Sequence, residues 1–162
     1  LTLISKEPVS ALDDVDTKIL EILQQNARTR RNDLASLVGL SLPSVSDRLR
    51  KLEEGGYIKG YYTRVDPKML GRDITAFIFV SVESSKHYNA FLDHAHANDD
   101  ILECHAITGE GSHLLKIRTE NTATLEKLLA KIQSWQGVAG TRTSVVLSTS
   151  KETTRLKIHN SK

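Results

Sequence analysis

Residues 31–56 read RNDLASLVGLSLPSVSDRLRKLEEGG, and the apolar spacing in that stretch decides the first half of the fold. Leu34, Leu37 and Val38 fall on one face of a short helix over residues 32–38, as a 3.6-residue period requires. Gly39 follows, a residue that can turn through a left-handed conformation without a Cβ penalty. Ser41 is placed to act as an N-cap, its hydroxyl accepting a backbone N–H of the next turn. Val45, Leu49 and Leu52 then form the apolar stripe of a further helix that ends near Gly55-Gly56. Upstream, Val15, Ile19, Ile22 and Leu23 recur at helical spacing between Leu12 and Asn26, with Asp13 and Asp14 supplying cap oxygens and negative charge at the start. Residues 12–56 therefore predict three helices, the last two joined by a short turn containing glycine. That is the helix-turn-helix layout.

If Val45, Leu49 and Leu52 face the core, the 100° step puts Pro43, Ser44, Asp47, Arg50 and Lys51 on the opposite face, with Arg48 on the flank. A helix that enters the major groove uses short polar groups near its N-terminus for base edges and long cations further on for phosphates. Ser44, Ser46 and Asp47 suit the first role, while Arg48, Arg50 and Lys51 reach the backbone or a guanine edge. With Arg30, Arg31, Ser41 and Pro43 they make up the candidate DNA-contacting set. A solvated face on a three-helix bundle is the plain alternative.

Charge is distributed unevenly. The chain has 162 residues and a formal net charge of only +2. Residues 1–27 hold Lys6 and Lys18 against Glu7, Asp13, Asp14, Asp16 and Glu21, a net of −3. Residues 28–64 hold Arg28, Arg30, Arg31, Arg48, Arg50, Lys51, Lys59 and Arg64 against Asp33, Asp47, Glu53 and Glu54, a net of +4. A local basic block of this kind is the electrostatic footprint that a nucleic-acid binder carries, with a merely solvated face as the alternative.

The second half alternates strands and helices. Residues 75–83 (TAFIFVSVE), 101–108, 113–119 and 141–149 have strand composition, the last with Thr143, Val145 and Leu147 on one face. Residues 87–98 predict a helix with Tyr88, Phe91, Leu92 and Ala95 inward, and residues 122–135 a helix carrying Leu125, Leu128, Leu129, Ile132 and Trp135. The order is βαββαβ, a ferredoxin-like plan, so the fold class is α+β. Tyr57–Val65 also has strand composition, and residues 153–158 suit an edge strand. The expected domains are an N-terminal arm (1–11), a helix-turn-helix domain with linker strand (12–65), a linker (66–73) and a second module (74–162). Each core is small and one sheet face is left uncovered, so self-association is expected.

Other chemistry is sparse. No run of eighteen apolar residues suits a membrane span. The first eleven residues lack a signal-peptide layout, and a lone cysteine, Cys104, suits a reducing cytoplasm. Cys104 reads as a small buried hydrophobe. His94 and His96, two apart on a helix, point in different directions and make a poor metal pair. His105 and His113 fall on paired strands but not opposite each other. No cofactor or metal is expected.

The stretch from Leu12 to Pro67, LDDVDTKILEILQQNARTRRNDLASLVGLSLPSVSDRLRKLEEGGYIKGYYTRVDP, closely resembles the N-terminal half of the Lrp/AsnC transcriptional regulators. The stretch beginning ECHAITGEGSHLLKIRTENTATLEKLL at Glu103 resembles their C-terminal RAM module. The resemblance covers nearly the whole chain in the expected order. It implies a winged or linker-strand helix-turn-helix on duplex DNA, homodimers through the RAM sheets, octamers of four dimers, and amino acids or related metabolites as effectors.

Two departures stand out. The family's recognition helix carries a basic residue where this chain has Asp47, a carboxylate that repels phosphate but can accept from a cytosine amino group. The family's effector loop resembles TGDYDYLL, whereas this chain reads TGEGSHLL from Thr108. The candidate effector residues are therefore Thr108, Gly109, Glu110, Gly111, Ser112 and His113. The glycines leave backbone N–H groups approachable by a ligand carboxylate, and Glu110 can pair with an ammonium. A hairpin turn with glycines in purely geometric roles is the alternative. Sirohaem decarboxylases resemble the same two-domain plan, which makes a tetrapyrrole enzyme the competing function. The arginines on the first domain favour DNA, and the chain is read as a regulator and not an enzyme.

Overall fold

A computed structural model describes residues 12–158, which fall into two compact units: 12–64 together with 152–158, and 65–151. The expected N-terminal arm, 1–11, lies outside the described residues.

The first unit holds α1 (Asp14–Gln25), α2 (Arg31–Val38) and α3 (Leu42–Glu54). The starts of α1 and α3 are explained locally. Asp13 closes a reciprocal capping box with Asp16 at α1, and Ser41 caps α3 by accepting from the Ser44 N–H. Gly39 ends α2 at φ 72°, the left-handed geometry the turn needs. Ile19, Leu34, Val45, Leu49 and Leu52 converge into one buried core. The apolar stripe read from the third helix is thus the face that packs.

Two segments depart from expectation. Residues 57–65 form no strand, because strand composition alone supplies no hydrogen-bonding partner. Residues 153–158 form no edge strand either, and they group with the helical unit instead of the sheet. Gln24 explains this: its side-chain amide donates to the Leu156 carbonyl at 3.0 Å and accepts from the Leu156 N–H at 2.6 Å. Arg64 adds a second tie, donating to the backbone and carboxylate of Glu152, and Ile158 packs against the helical core.

The second unit is one antiparallel sheet with two helices. Its elements are β1 (Ile74–Val82), α4 (Tyr88–His96), β2 (Ile101–Ala106), β3 (His113–Thr119), α5 (Thr122–Gln133) and β4 (Val138–Val145). The strand order is β2-β3-β1-β4, which is the βαββαβ arrangement expected. Strand alternation sends Ala76, Ile78, Val80, Leu115 and Ile117 to one side, where Phe91, Leu128, Ile132 and Trp135 from the helices complete the core. The other side carries Phe77 opposite Lys116, and Phe79 between Leu114 and Arg142. Neither α4 nor α5 covers that face.

The last strand begins and ends earlier than its composition suggested. The left-handed Gly137 (φ 86°) turns the chain directly into Val138. Thr143 and Val145 do share a face, opposite Ile78 and Ala76, but Leu147 lies beyond the strand and is almost fully exposed.

Candidate nucleic-acid interface and effector cleft

The outer face of α3 is polar along its length. Pro43, Ser44, Arg50 and Lys51 are exposed and Asp47 is half-exposed, all turned away from the core formed by Val45, Leu49 and Leu52. At the N-terminus the Ser41 hydroxyl, which caps the helix, lies 2.8 Å from the Ser44 hydroxyl. Arg30 and Arg31 stand exposed at the start of α2. Ser46 is half-buried on the flank.

The charged residues of α3 are engaged with carboxylates. Asp47 uses both oxygens: Oδ2 lies 2.7 Å from Lys51 Nζ, and Oδ1 accepts from Arg50 at 2.6 Å. These two hydrogen-bonded cations hold the Asp47 carboxyl below its ordinary range, Lys51 contributing most. Arg50 is bound a second time, by Glu54 at 2.8 Å.

Arg48 differs from its neighbours. Its Nη1 donates to Asp13 at 2.6 Å and to Asp16 at 2.7 Å, the two residues of the capping box on α1. Arg48 therefore fastens α3 to α1, a part that sequence spacing did not reveal. Tyr61 has a similar tie, donating to Glu53 at 2.9 Å, and burial with that contact pushes its phenol up to about 12.

In the second unit the six loop residues divide into three groups. Thr108 and Gly109 are exposed at the tip of the β2–β3 connection. Ser112 and His113 face inward. The Ser112 N–H donates to the Val80 carbonyl at 2.9 Å, its hydroxyl accepts from the Val82 N–H at 3.0 Å, and His113 Nδ1 sits 2.9 Å from the same hydroxyl. His113 is wholly buried between Tyr88 and Phe91, and that burial lowers its pKa. Gly111 lies against the same strand: a Cβ there would stand 2.9 Å from the Val80 carbonyl oxygen, at a backbone φ of +84°.

Only Glu110 and Gly111 of the predicted loop line an open cleft of about 310 Å³, together with Phe79, Ser81, Gly140, Thr141 and Arg142. Arg142 reaches across to form an ion pair with Glu110, and its guanidinium lies 4.7 Å from the Phe79 ring centroid. The cleft thus holds a cation, a carboxylate and an aromatic face in one place. Sequence reading missed Arg142 because strand alternation alone does not say which residue of β4 meets the distant loop.

The remaining candidates are structural. Cys104 is half-buried against the core, with its thiol pushed up by desolvation. His94 stacks on Trp135, and His96 bonds its own helix at the Leu92 carbonyl. His105 pairs in register with Leu114, and His113 with Ala106, so the two histidines are not opposite each other. Among the described residues no group of three or more metal-ligating side chains assembles, and no helix is long and apolar enough to cross a membrane.

Comparison with known proteins agrees with this two-part geometry. Residues 12–59 match the winged helix-turn-helix DNA-binding family, and residues 75–156 match the Lrp/AsnC ligand-binding domain. The HTH-type transcriptional regulator FL11 of Pyrococcus horikoshii is 38% identical over 91% of this chain and 97% of its own. A Neisseria meningitidis transcriptional regulator solved with L-Met superposes with a TM-score of 0.85 at 32% identity, covering 90% of this chain and 96% of that one. Escherichia coli AsnC superposes with a TM-score of 0.83 at 32% identity, covering 89% of this chain and 97% of that one. Such relatives are regulators, in line with the DNA reading over the tetrapyrrole-enzyme one. The chain belongs to the Lrp/AsnC family and is a DNA-binding transcriptional regulator.

Proposed function

We propose that this regulator reads pseudo-palindromic duplex DNA with the outer face of α3, as a homodimer whose DNA response is tuned by a small or polar amino acid. The observation that carries the DNA part is the arrangement of α3 itself. Its apolar stripe is buried, its N-terminus is capped by Ser41, and Pro43, Ser44, Asp47, Arg50 and Lys51 are left outward. A two-fold dimer presents two such helices to half-sites about one helical turn apart, or a multiple of that. Arg30 and Arg31 at the start of α2 suit phosphate contacts beside it.

Dimerisation through the sheet is supported by the face that α4 and α5 leave uncovered, where Phe77, Phe79 and Leu114 sit among Lys116 and Arg142. Assembly of four dimers into an octamer is the further step that the family resemblance suggests.

The effector reading rests on the cleft between Glu110 and Arg142. An α-amino acid presents a carboxylate and an ammonium, and this pair offers one partner for each. Where the family loop is bulky, Gly111 leaves an apolar side chain little to pack against. A small or polar amino acid is therefore favoured over leucine, with weak affinity. The Neisseria relative solved with L-Met makes an amino acid the natural class to test.

Selection of bound fragments from a random duplex pool, repeated with each amino acid, tests both halves together. The expected result is an inverted-repeat motif whose recovery changes with at least one amino acid. Recovery of no duplex would overturn the reading of α3, and a motif indifferent to every amino acid would overturn the effector reading alone.

A further inference from the structure

All three cations of α3 are held by carboxylates, and Asp47 holds two of them. Its Oδ1 is taken by Arg50 and its Oδ2 by Lys51, at 2.6 and 2.7 Å. Arg50 is bound again by Glu54, and Arg48 is drawn to α1 by Asp13 and Asp16. A helix that offers Arg48, Arg50 and Lys51 in its sequence therefore presents them with their charge largely answered.

We propose that Asp47 is a specificity residue that sheathes Arg50 and Lys51, so that this regulator discriminates by suppressing its hold on non-cognate DNA. The inference rests on the reading of α3 as the helix that faces DNA. Its logic is geometric exclusivity. For Arg50 or Lys51 to bind phosphate, it must leave an Asp47 oxygen, and the carboxylate is then stranded close to a polyanion. Nothing in a random duplex compensates for that, so both non-specific affinity and its salt dependence are reduced. At a site that places a cytosine beside Asp47, the base's exocyclic amino group donates to the vacated oxygen. The carboxylate exchanges a side-chain cation for a base donor, and the released cation reaches the backbone. One substitution toward an acid thus serves as both a penalty against wrong sequences and a reader of the right one.

The ion pairs are solvent-exposed and individually weak, so the effect to look for is moderate and tied to salt. The test uses the full chain with Asp47→Asn and Asp47→Ser, beside Arg50→Ala and Lys51→Ala. Two measurements are made: affinity for a mixed-sequence duplex across a salt series, and the motif each protein selects from a random pool. Loss of the carboxylate should tighten mixed-sequence binding roughly three- to tenfold and steepen the salt dependence by about one unit of slope for each cation released. The selected motif should lose its cytosine preference at one position per half-site. Arg50→Ala and Lys51→Ala should weaken binding to every sequence. If both Asp47 variants keep wild-type affinity, slope and motif while the Arg50 and Lys51 variants weaken, the sheath is wrong and the DNA-facing reading stands. If all four variants bind as wild type does, α3 does not face DNA and both ideas fall.

Discussion

Arg48 of α3 donates to Asp16 of α1 at 2.7 Å, and with the same Nη1 reaches Asp13 at 2.6 Å. Those aspartates are the capping box that starts α1. One guanidinium therefore ties α3 to the N-terminus of α1. Its side chain is 30% exposed, so the pairs are screened only in part. Arg48→Met should cost about 1 kcal/mol of unfolding free energy, measured by urea denaturation at neutral pH. The Asp13 carboxyl lies below its ordinary 3.8, chiefly through its bond to the Asp16 N–H, with Arg48 adding to it. A depressed carboxylate stabilises the fold above its unfolded value and ceases to do so as pH falls through its folded value. The difference between wild type and Arg48→Met should accordingly shrink below about pH 4. A gap that persists unchanged at pH 3 would place the effect in packing of the arginine stem.

Gly109 and Gly111 separate strain from space. Both have positive φ, but only Gly111 would place a Cβ against backbone, 2.9 Å from the Val80 carbonyl oxygen. Gly109→Ala should lower stability by about 1 kcal/mol from conformation alone, and Gly111→Ala by about twice that or more. Thermal unfolding of the two variants under one set of conditions makes the comparison. Equal losses would mean that the β1 backbone yields readily at Val80.

His113 gives the sheet unit a dependence on pH. Its ring is wholly buried, is bonded to the Ser112 hydroxyl, and is packed by Tyr88 and Phe91 from α4. Burial lowers its pKa from the ordinary 6.5. The unfolded chain then binds the proton more readily than the folded one, so stability is full above pH 6.5 and is lost as pH falls below it. His113→Gln retains an acceptor for Ser112 and cannot titrate. Wild type should lose melting temperature between pH 7 and about pH 5 more steeply than this variant. Parallel curves would show that protonated His113 finds a partner inside the fold.

The helical unit was legible because its signals are local. As helix caps, Asp13, Gly39 and Ser41 each act within one turn of where they stand, and the stripe of Val45, Leu49 and Leu52 needs no partner to be recognised. Long-range pairing was not legible. Nothing in the spacing around Arg48 pointed to its carboxylate partners, which lie 32 and 35 residues away. Tyr57–Val65 and residues 153–158 have the composition of strands, but a strand needs an edge, and the tail meets Gln24 and Arg64 instead. The loop at 108–113 was proposed for an effector by resemblance, while its division into inward Ser112 and His113 and outward Glu110 depends on the close approach of β1.

The open sheet face should hold two copies together. Phe79 lies at its centre, paired in register with Leu114 on one side and Arg142 on the other. Phe79→Glu places a charge where a second copy would need apolar surface, and it leaves the opposite, core-facing side of β1 untouched. Sedimentation velocity at micromolar concentration should report a dimer or larger species for the full chain and a shift toward monomer for the variant. An unchanged distribution would move the interface away from this face.

The effector cleft yields the most demanding expectation, because its two charged partners already satisfy each other. Arg142 and Glu110 form an ion pair across the cleft, with the guanidinium over Phe79. An amino acid must break that pair and replace it with two of its own, ammonium to Glu110 and carboxylate to Arg142. The net gain is small, which is the physical reason to expect weak binding. Thermal shift with all twenty amino acids should find a rise in melting temperature by mass action at millimolar ligand, larger for a small or polar side chain than for leucine. Glu110→Ala and Arg142→Ala should each abolish the rise, since either leaves one end of the ligand unpaired. Charge reversal of both residues together keeps the pair while exchanging its ends, so the apo melting temperature should stay close to that of the wild type. A rise that survives either alanine substitution would put the effector outside this cleft.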